Sequence, residues 1–179
     1  EYIGGMDYRH YIHQHFIDPL KGYPVPKVFV LNGMARNFHQ EATRFEVLVR
    51  ARRINLAVLG LGTKKGHLGF NEEGSSHDSV TRRVKLAPST IEANRELMER
   101  VKQGGQPYTH ALTIGLGTAL SSEKIILIAN GNSKAEPIGY LFRGQVSEEF
   151  PVTALLRHSD VTVLIDRQAA VNIPEAQLR

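Results

Sequence analysis

The stretch that decides the fold reads Ile54-Asn-Leu-Ala-Val-Leu-Gly-Leu-Gly-Thr-Lys-Lys-Gly-His-Leu-Gly-Phe-Asn-Glu72. Its first six residues are almost all aliphatic, which predicts a buried strand. Gly60, Gly62 and Gly66 follow, so the chain turns with little side-chain bulk and its backbone N–H groups can approach a ligand. In open α/β sheets ligands bind beyond the carboxyl ends of the strands, so this loop is the first place to look for a site.

Four further apolar runs predict strands buried on both faces, as in a parallel sheet covered by helices. They are Val28–Leu31, Ala111–Ile114, Ile125–Ile128 and Val161–Ile165. Segments with helical spacing alternate with the strands, over Tyr8–Leu20, Phe38–Arg52, Ser89–Val101 and Ser133–Phe142, with Ser89 as a helix N-cap. This alternation predicts an α/β fold in one domain over residues 1–179, with a doubly wound, mostly parallel sheet sandwiched by helices in a Rossmann-like three-layer arrangement.

Composition narrows the class of function. The 179 residues are 41% hydrophobic and 22% charged, which suits a globular domain with a real core. The net charge of +4 is spread along the chain, so neither nucleic acid nor a membrane surface is predicted as a partner. Cysteine is absent, which excludes disulfides and thiolate metal sites and favours a cytoplasmic location. No apolar run is long enough for a membrane span.

The loop itself carries titratable and polar groups, of which His67 is the natural candidate for proton transfer near neutral pH. The loop is not a P-loop, because no Gly-Lys-Ser/Thr closes it. It also lacks the dinucleotide-binding spacing, because three residues rather than two precede Gly66. Glycines after a strand are common turn chemistry, and a loop histidine is often structural. The loop alone therefore leaves its function open.

Gly60 to Glu72 resembles the signature Gly-x-Gly-x-Asp/Asn-Gly-His-Ile-Gly/Ala-Phe-Asn-Glu of the glucosamine-6-phosphate deaminase family. Further segments are similar to family motifs and occur in the family's order. They are Glu1–Gly4, Leu31–Gly33 followed by Glu41–Glu46, Thr90–Arg95, Ala111–Thr118, Gly131–Ala135 and His158–Asp166. The resemblance thus covers nearly the whole chain.

The resemblance implies an activity and a substrate class. Family members open the ring of a phosphorylated amino sugar, move a proton from C2 to C1 through an enol, and release ammonia to leave fructose 6-phosphate. No metal and no organic cofactor is implied. Members include oligomers and monomers, so a homo-oligomer stays open.

Four side chains acquire roles from the resemblance. His67 corresponds to the acid/base that opens the ring, a step worth roughly 10²–10⁴ in rate, and Glu72 to an acidic partner that orients it. Lys134 matches a lysine that binds the substrate phosphate, as an ammonium point charge can. Arg95 lies one residue before the position of a phosphate-binding arginine.

The signature loop also departs from the family pattern. Gly62 and Gly66 match glycines of the substrate-binding loop, but the loop is one residue longer. The acidic or amide position before Gly66 is Lys65, whose ammonium would disfavour the imidazolium form of His67. Converting Lys65 to Asp with Lys64 deleted is then expected to raise activity.

A second departure concerns the catalytic base. In the family an Asp directly precedes the Glu-Tyr pair, which here is Glu1–Tyr2. The resemblance implies that about a quarter to a third of the domain, with that Asp and a first strand, belongs before Glu1. Two alternatives stay open: a catalytically impaired homologue that only binds the sugar phosphate, and a 6-phosphogluconolactonase, which needs no C2 base.

Overall fold

The computed structural model describes residues 11–24, 27–62, 64–93, 95 and 108–177. The strands are β1 Leu56–Gly60, β2 Arg82–Lys85, β3 His110–Thr113, β4 Lys124–Ala129 and β5 Val161–Ile165. The α-helices are α1 Phe38–Arg50, α2 Pro88–Ala93, α3 Leu116–Leu120 and α4 Ala135–Phe142. Tighter or wider helical turns cover His13–Ile17, Asp18–Leu20, Asn132–Lys134, Pro151–Arg157 and Glu175–Gln177.

A parallel sheet with the strand order β1-β4-β5 forms the centre of the described fold. Its register pairs Leu59 with Leu127 and Leu127 with Val163. Leu127 is fully buried, and it packs in one apolar cluster with Ile138 of α4 and with Val152 of the turn Pro151–Arg157. The predicted α/β fold, a mostly parallel sheet flanked by helices, is confirmed.

The other face of the sheet differs from the prediction. Val58, Ile128 and Leu164 share this face and are 58%, 48% and 50% exposed. Burial on both faces was expected from the near-continuous apolar runs. Within the described residues, only the face that carries Ile125 and Leu127 is covered by the apolar core.

Two strand predictions need correction. Ala111–Ile114 does contain a strand, but β3 pairs antiparallel with β2 in a separate two-stranded sheet. Strand β2 escaped prediction because Arg82–Lys85 contains a single apolar residue. Val28–Leu31 forms no strand: Val28 and Phe29 are 39% and 40% exposed, and no strand in the described part of the chain pairs with them, as an extended backbone requires.

Two of the four helix predictions hold. Helix α1 begins after Asn37, whose Oδ1 accepts from the Gln40 N–H at 3.0 Å, and it buries the predicted Ala42 and Phe45. Helix α4 starts two residues after the predicted Ser133.

The other two helix predictions are changed. Helix α2 begins at Pro88, a residue that suits the first helical position, so Ser89 lies inside the first turn and is not the N-cap. Residues 94 and 96–101 of that prediction, and residues 8–10 of the Tyr8–Leu20 prediction, lie outside the described residues. From His13 to Leu20 the chain forms a π-turn and a 3₁₀-turn instead of a regular α-helix. Every helix among the described residues is too short or too polar to span a bilayer.

Candidate active site

The loop that follows β1 closes on itself. The Gly62 N–H donates to the His67 carbonyl at 2.8 Å, and a β-bridge joins the buried Leu61 and Leu68. Between them the backbone turns through positive φ at Lys64 (55°) and Gly66 (71°). The tip of the loop is therefore a tight turn whose two ends are hydrogen-bonded to each other.

The His67 ring lies against the backbone of Gly62. A Cβ built on Gly62 would be 2.1 Å from both Cδ2 and Nε2 of the imidazole, so only glycine leaves room for the ring here. Nδ1 is 2.7 Å from the carbonyl oxygen of Gly69. A carbonyl can only accept, so Nδ1 carries the proton of this bond and Nε2 is the basic nitrogen of the neutral ring. The bond fixes the tautomer that a general base needs.

Asn71 holds the far side of the loop. It is buried, and its Nδ2 donates to the carbonyls of Leu68 at 2.9 Å and Ile114 at 2.8 Å. Its Oδ1 accepts from Arg82 Nη1 at 2.8 Å. Sequence reasoning missed Arg82, which lies in a run of charged residues without a site motif. Burial lowers the pKa of this guanidinium, whose hydrogen-bond acceptors among the described residues are all neutral.

The Glu72 carboxylate, predicted to orient His67, forms its hydrogen bonds at the start of α2. It accepts from the Ala87 N–H at 2.6 Å and from the Thr90 hydroxyl, and so caps the start of α2. An anion at a helix N-terminus satisfies free N–H groups and interacts favourably with the helix dipole. No hydrogen bond joins Glu72 to His67 in the described structure. The group that orients the imidazole is the Gly69 carbonyl.

The Lys65 side chain is held by carboxylates. Its ammonium forms an ion pair with Glu149 and lies 3.8 Å from Oε1 of Glu73 and 4.7 Å from the ring centre of Phe150. The hydrogen bond with Glu149 raises the pKa of Lys65. The charge expected to disfavour the imidazolium of His67 is therefore neutralised by partners of its own.

Lys134 lies in the turn that follows β4. The backbone at Gly131 has φ of +85°, and its N–H donates to both oxygens of Asp166, the residue after β5, at 3.1 Å. Burial lowers the pKa of Lys134, and no carboxylate of a described residue pairs with it. An ammonium of this kind can receive an anion.

The loop and the Lys134 turn meet at the same edge of the sheet. A Cβ on Gly66 would be 3.0 Å from Cβ of Pro137 in α4 and 2.9 Å from Cγ1 of Val152. Gly66 thus packs directly on the helix that begins one residue after Lys134. The structure brings together the predicted Gly62, Gly66 and His67, with Lys134 in the turn that leads into α4.

Arg95 is not brought to this loop by any described contact. Its guanidinium pairs with Glu92 at 2.6 Å on an exposed surface, where the two side chains are 68% and 65% exposed. Most of the residues from 94 to 107 lie outside the described part. A phosphate-binding role for Arg95 therefore stays a prediction.

Two acidic residues of α1 connect motifs that are distant in sequence. The Glu41 carboxylate accepts from the Asn32 N–H at 2.8 Å. The Glu46 carboxylate accepts from the Thr81 N–H at 3.0 Å and from the hydroxyls of Thr81 and Thr118. Segments that resemble separate family motifs are thus joined by hydrogen bonds.

The chain is similar in sequence to known deaminases. It is 38% identical over 169 residues to the glucosamine-6-phosphate deaminase of Bacillus cereus, and the match covers 94% of this chain and 62% of that protein. It is 35% identical to the glucosamine-6-phosphate deaminase of Streptococcus agalactiae, over 95% of this chain and 72% of the relative. The chain belongs to the glucosamine-6-phosphate deaminase family. No protein-family model matches it.

Solved structures agree with membership of the deaminase family. A monomeric glucosamine-6-phosphate deaminase superposes with a TM-score of 0.81 at 38% identity, over 92% of this chain and 67% of that one. A 6-phosphogluconolactonase from Trypanosoma cruzi reaches 0.55 at 18% identity, which shows a shared fold alone. The resemblance drawn from the signature loop is confirmed. The chain spans 62% of the length of its Bacillus relative.

Proposed function

We propose that this chain carries the deaminase site that converts glucosamine 6-phosphate and water into fructose 6-phosphate and ammonia. The observation that carries the proposal is the loop after β1, where His67 has a fixed tautomer and the loop packs on the helix that follows Lys134. The deaminase relatives at 35% and 38% identity support it.

Each residue of the site has a proposed role in ring opening or in substrate binding. His67 Nε2 is the free basic nitrogen, so it takes the proton of the anomeric hydroxyl, and the imidazolium returns a proton to the ring oxygen as the ring opens. The bond from Nδ1 to Gly69 persists in both protonation states, which keeps the imidazole in place during the exchange. Lys134 binds the phosphate as a point charge, and Gly62 and Gly66 border the sugar.

The proton transfer from C2 to C1 needs a carboxylate base. The family resemblance assigns this role to the Asp that precedes the Glu-Tyr pair. Ring opening depends on His67 and deamination also depends on that Asp, so the two steps are measured separately. The proposed ligand is a phosphorylated amino sugar, with neither metal nor organic cofactor. We assign the reaction to the cytoplasm, because a chain without cysteine suits a reducing compartment.

Three assays test the proposal. Ammonia release from glucosamine 6-phosphate measures deamination, exchange between the anomers by NMR measures ring opening, and calorimetry measures binding. His67→Asn should lower the rate of ring opening by about 10²–10⁴-fold. His39→Asn, at an exposed position of α1, is the matched control and should leave that rate unchanged.

The outcomes separate the competing functions. Binding without ring opening or ammonia release would support the impaired homologue, and hydrolysis of 6-phosphogluconolactone would support the lactonase. A folded chain that neither binds nor converts glucosamine 6-phosphate would refute the proposal.

A further inference from the structure

The residue at which the loop departs from the family signature makes a contact between distant parts of the chain. Lys65 and Glu149 are 84 residues apart in sequence and form a hydrogen-bonded ion pair. Glu73, near the other end of the loop, lies 3.8 Å from the same ammonium. One cation therefore bridges two carboxylates, and its removal would leave two like charges near each other.

The segment 148–150 contacts the loop region at a second point, through a backbone hydrogen bond. The Gly74 N–H donates to the Glu148 carbonyl at 2.8 Å. Both the tip of the loop and the residues that follow it are thus attached to one short segment. A loop held at two points has fewer conformations to lose when it binds a ligand.

This segment is itself fixed by aromatic packing. The Phe150 ring stacks on Tyr140 of α4, with ring centres 3.8 Å apart and planes inclined by 23°. Lys65 covers the Phe150 ring at 4.7 Å, and Arg143 lies 5.0 Å from the centre of the Tyr140 ring. The two rings are stacked on each other, and each is in contact with a cation. Lys65 is therefore attached, through Phe150, to a helix of the core.

The attachment bears directly on His67. Gly66 is the single residue between Lys65 and His67. It packs so closely on Val152 and Pro137 that a Cβ at this position would not fit. We propose that Lys65 is a positioning residue, whose ion pair with Glu149 holds the tip of the loop so that the His67 imidazole stays on Gly62. The proposal rests on the deaminase function proposed above. It reverses the expectation that Lys65 impairs the site.

Four variants test this role. Lys65→Met keeps the stem over Phe150 but removes the charge, Glu149→Gln removes the partner charge, and the double variant removes both. Lys65→Arg restores a cation. Lys64→Ala is the matched control, because Lys64 is exposed and no described residue pairs with its ammonium.

Two readouts are needed: kcat and KM for ring opening of glucosamine 6-phosphate, the step assigned to His67, and the NMR signals of the His67 ring nitrogens, assigned with His67→Asn. Each single loss of charge should lower kcat by about tenfold or more with little change in KM, since small misplacements of a catalytic group are costly. The same variants should shift the His67 signals. The double variant should be no worse than either single one, because the two residues act as a pair, and Lys65→Arg and Lys64→Ala should match the parent chain.

Other results overturn the proposal. Unchanged His67 signals in Lys65→Met would do so, whatever happens to kcat, and so would losses that multiply in the double variant. If the parent chain neither opens the sugar ring nor releases ammonia, the proposed deaminase function fails. The positioning role is then decided by the NMR signals alone, so the two failures are distinguishable.

Discussion

Replacing Gly66 by alanine probes the contact between the loop that follows β1 and the core. At φ of +71° an L-residue adopts the left-handed region, which costs about 1–2 kcal/mol. The new Cβ would also be 2.9 Å from Val152 Cγ1 and 3.0 Å from Pro137 Cβ, and overpacking of this kind costs about 1–3 kcal/mol. Gly66→Ala should therefore lower the free energy of unfolding by about 2–5 kcal/mol.

The variant Gly74→Ala separates the cost of the left-handed backbone from the cost of overpacking. Gly74 has φ of +79° but nothing within 4 Å of the position of a Cβ, so only the backbone cost of about 1–2 kcal/mol applies. Urea unfolding of both variants and of the parent chain gives the comparison, provided that the slopes agree. In Gly66→Ala/Val152→Ala the clash with Val152 Cγ1 is absent, so the two changes should couple favourably by more than about 0.5 kcal/mol. Equal destabilisation by the two glycine variants, or strict additivity with Val152→Ala, would refute the reasoning.

Two more predictions concern the His67 imidazole and the buried Glu46 carboxylate. Gly62→Ala would put a Cβ 2.1 Å from the His67 ring, so kcat should fall by about 10–100-fold. Gly60→Ala is the control, because the space around Gly60 is open, and it should leave kcat unchanged. Equal kcat values for the two variants would contradict the packing of the His67 ring on Gly62. Burial raises the pKa of Glu46, but hydrogen bonds, chiefly from Thr81, outweigh it and hold that pKa below its ordinary value. Glu46 thus contributes stability above the pKa of the unfolded state, and this contribution is lost as pH falls below about 5. Glu46→Gln should be about 1–3 kcal/mol less stable at pH 7 and should show a flatter dependence of stability on pH between about 3 and 6; parallel curves for the two proteins would contradict the assignment.

The sequence was most informative where a pattern is continuous. Ile125–Ile128 is wholly apolar and Val161–Ile165 is apolar except for Thr162, and both form strands of the parallel sheet. Arg82–Lys85 has one apolar residue, so no periodicity could reveal β2, and the pairing partner of β3 was missed with it. Val28–Leu31 has the composition of a strand, but a strand also requires a neighbour, which composition does not specify.

In the candidate site, too, contacts within a local motif were predictable and contacts between residues distant in sequence were not. Gly62 and His67 lie in one local motif, and their contact follows from the tight turn that the glycines allow. The bond from Arg82 to Asn71 spans 11 residues and the pair of Lys65 with Glu149 spans 84. Such partners are set by tertiary packing, so local patterns could not indicate them.

The order β1-β4-β5 has a consequence for the way in which the chain folds. The paired residues of β1 and β4 are about twice as far apart in sequence as those of β4 and β5. Each doubling of a closed loop adds about 0.6 kcal/mol of entropic cost, so we expect β4 and β5 to pair first and β1 to dock later. The loop that carries His67 would then be among the last parts to assemble, and pulsed hydrogen exchange would contradict this order if the β1 amides were protected before those of β5.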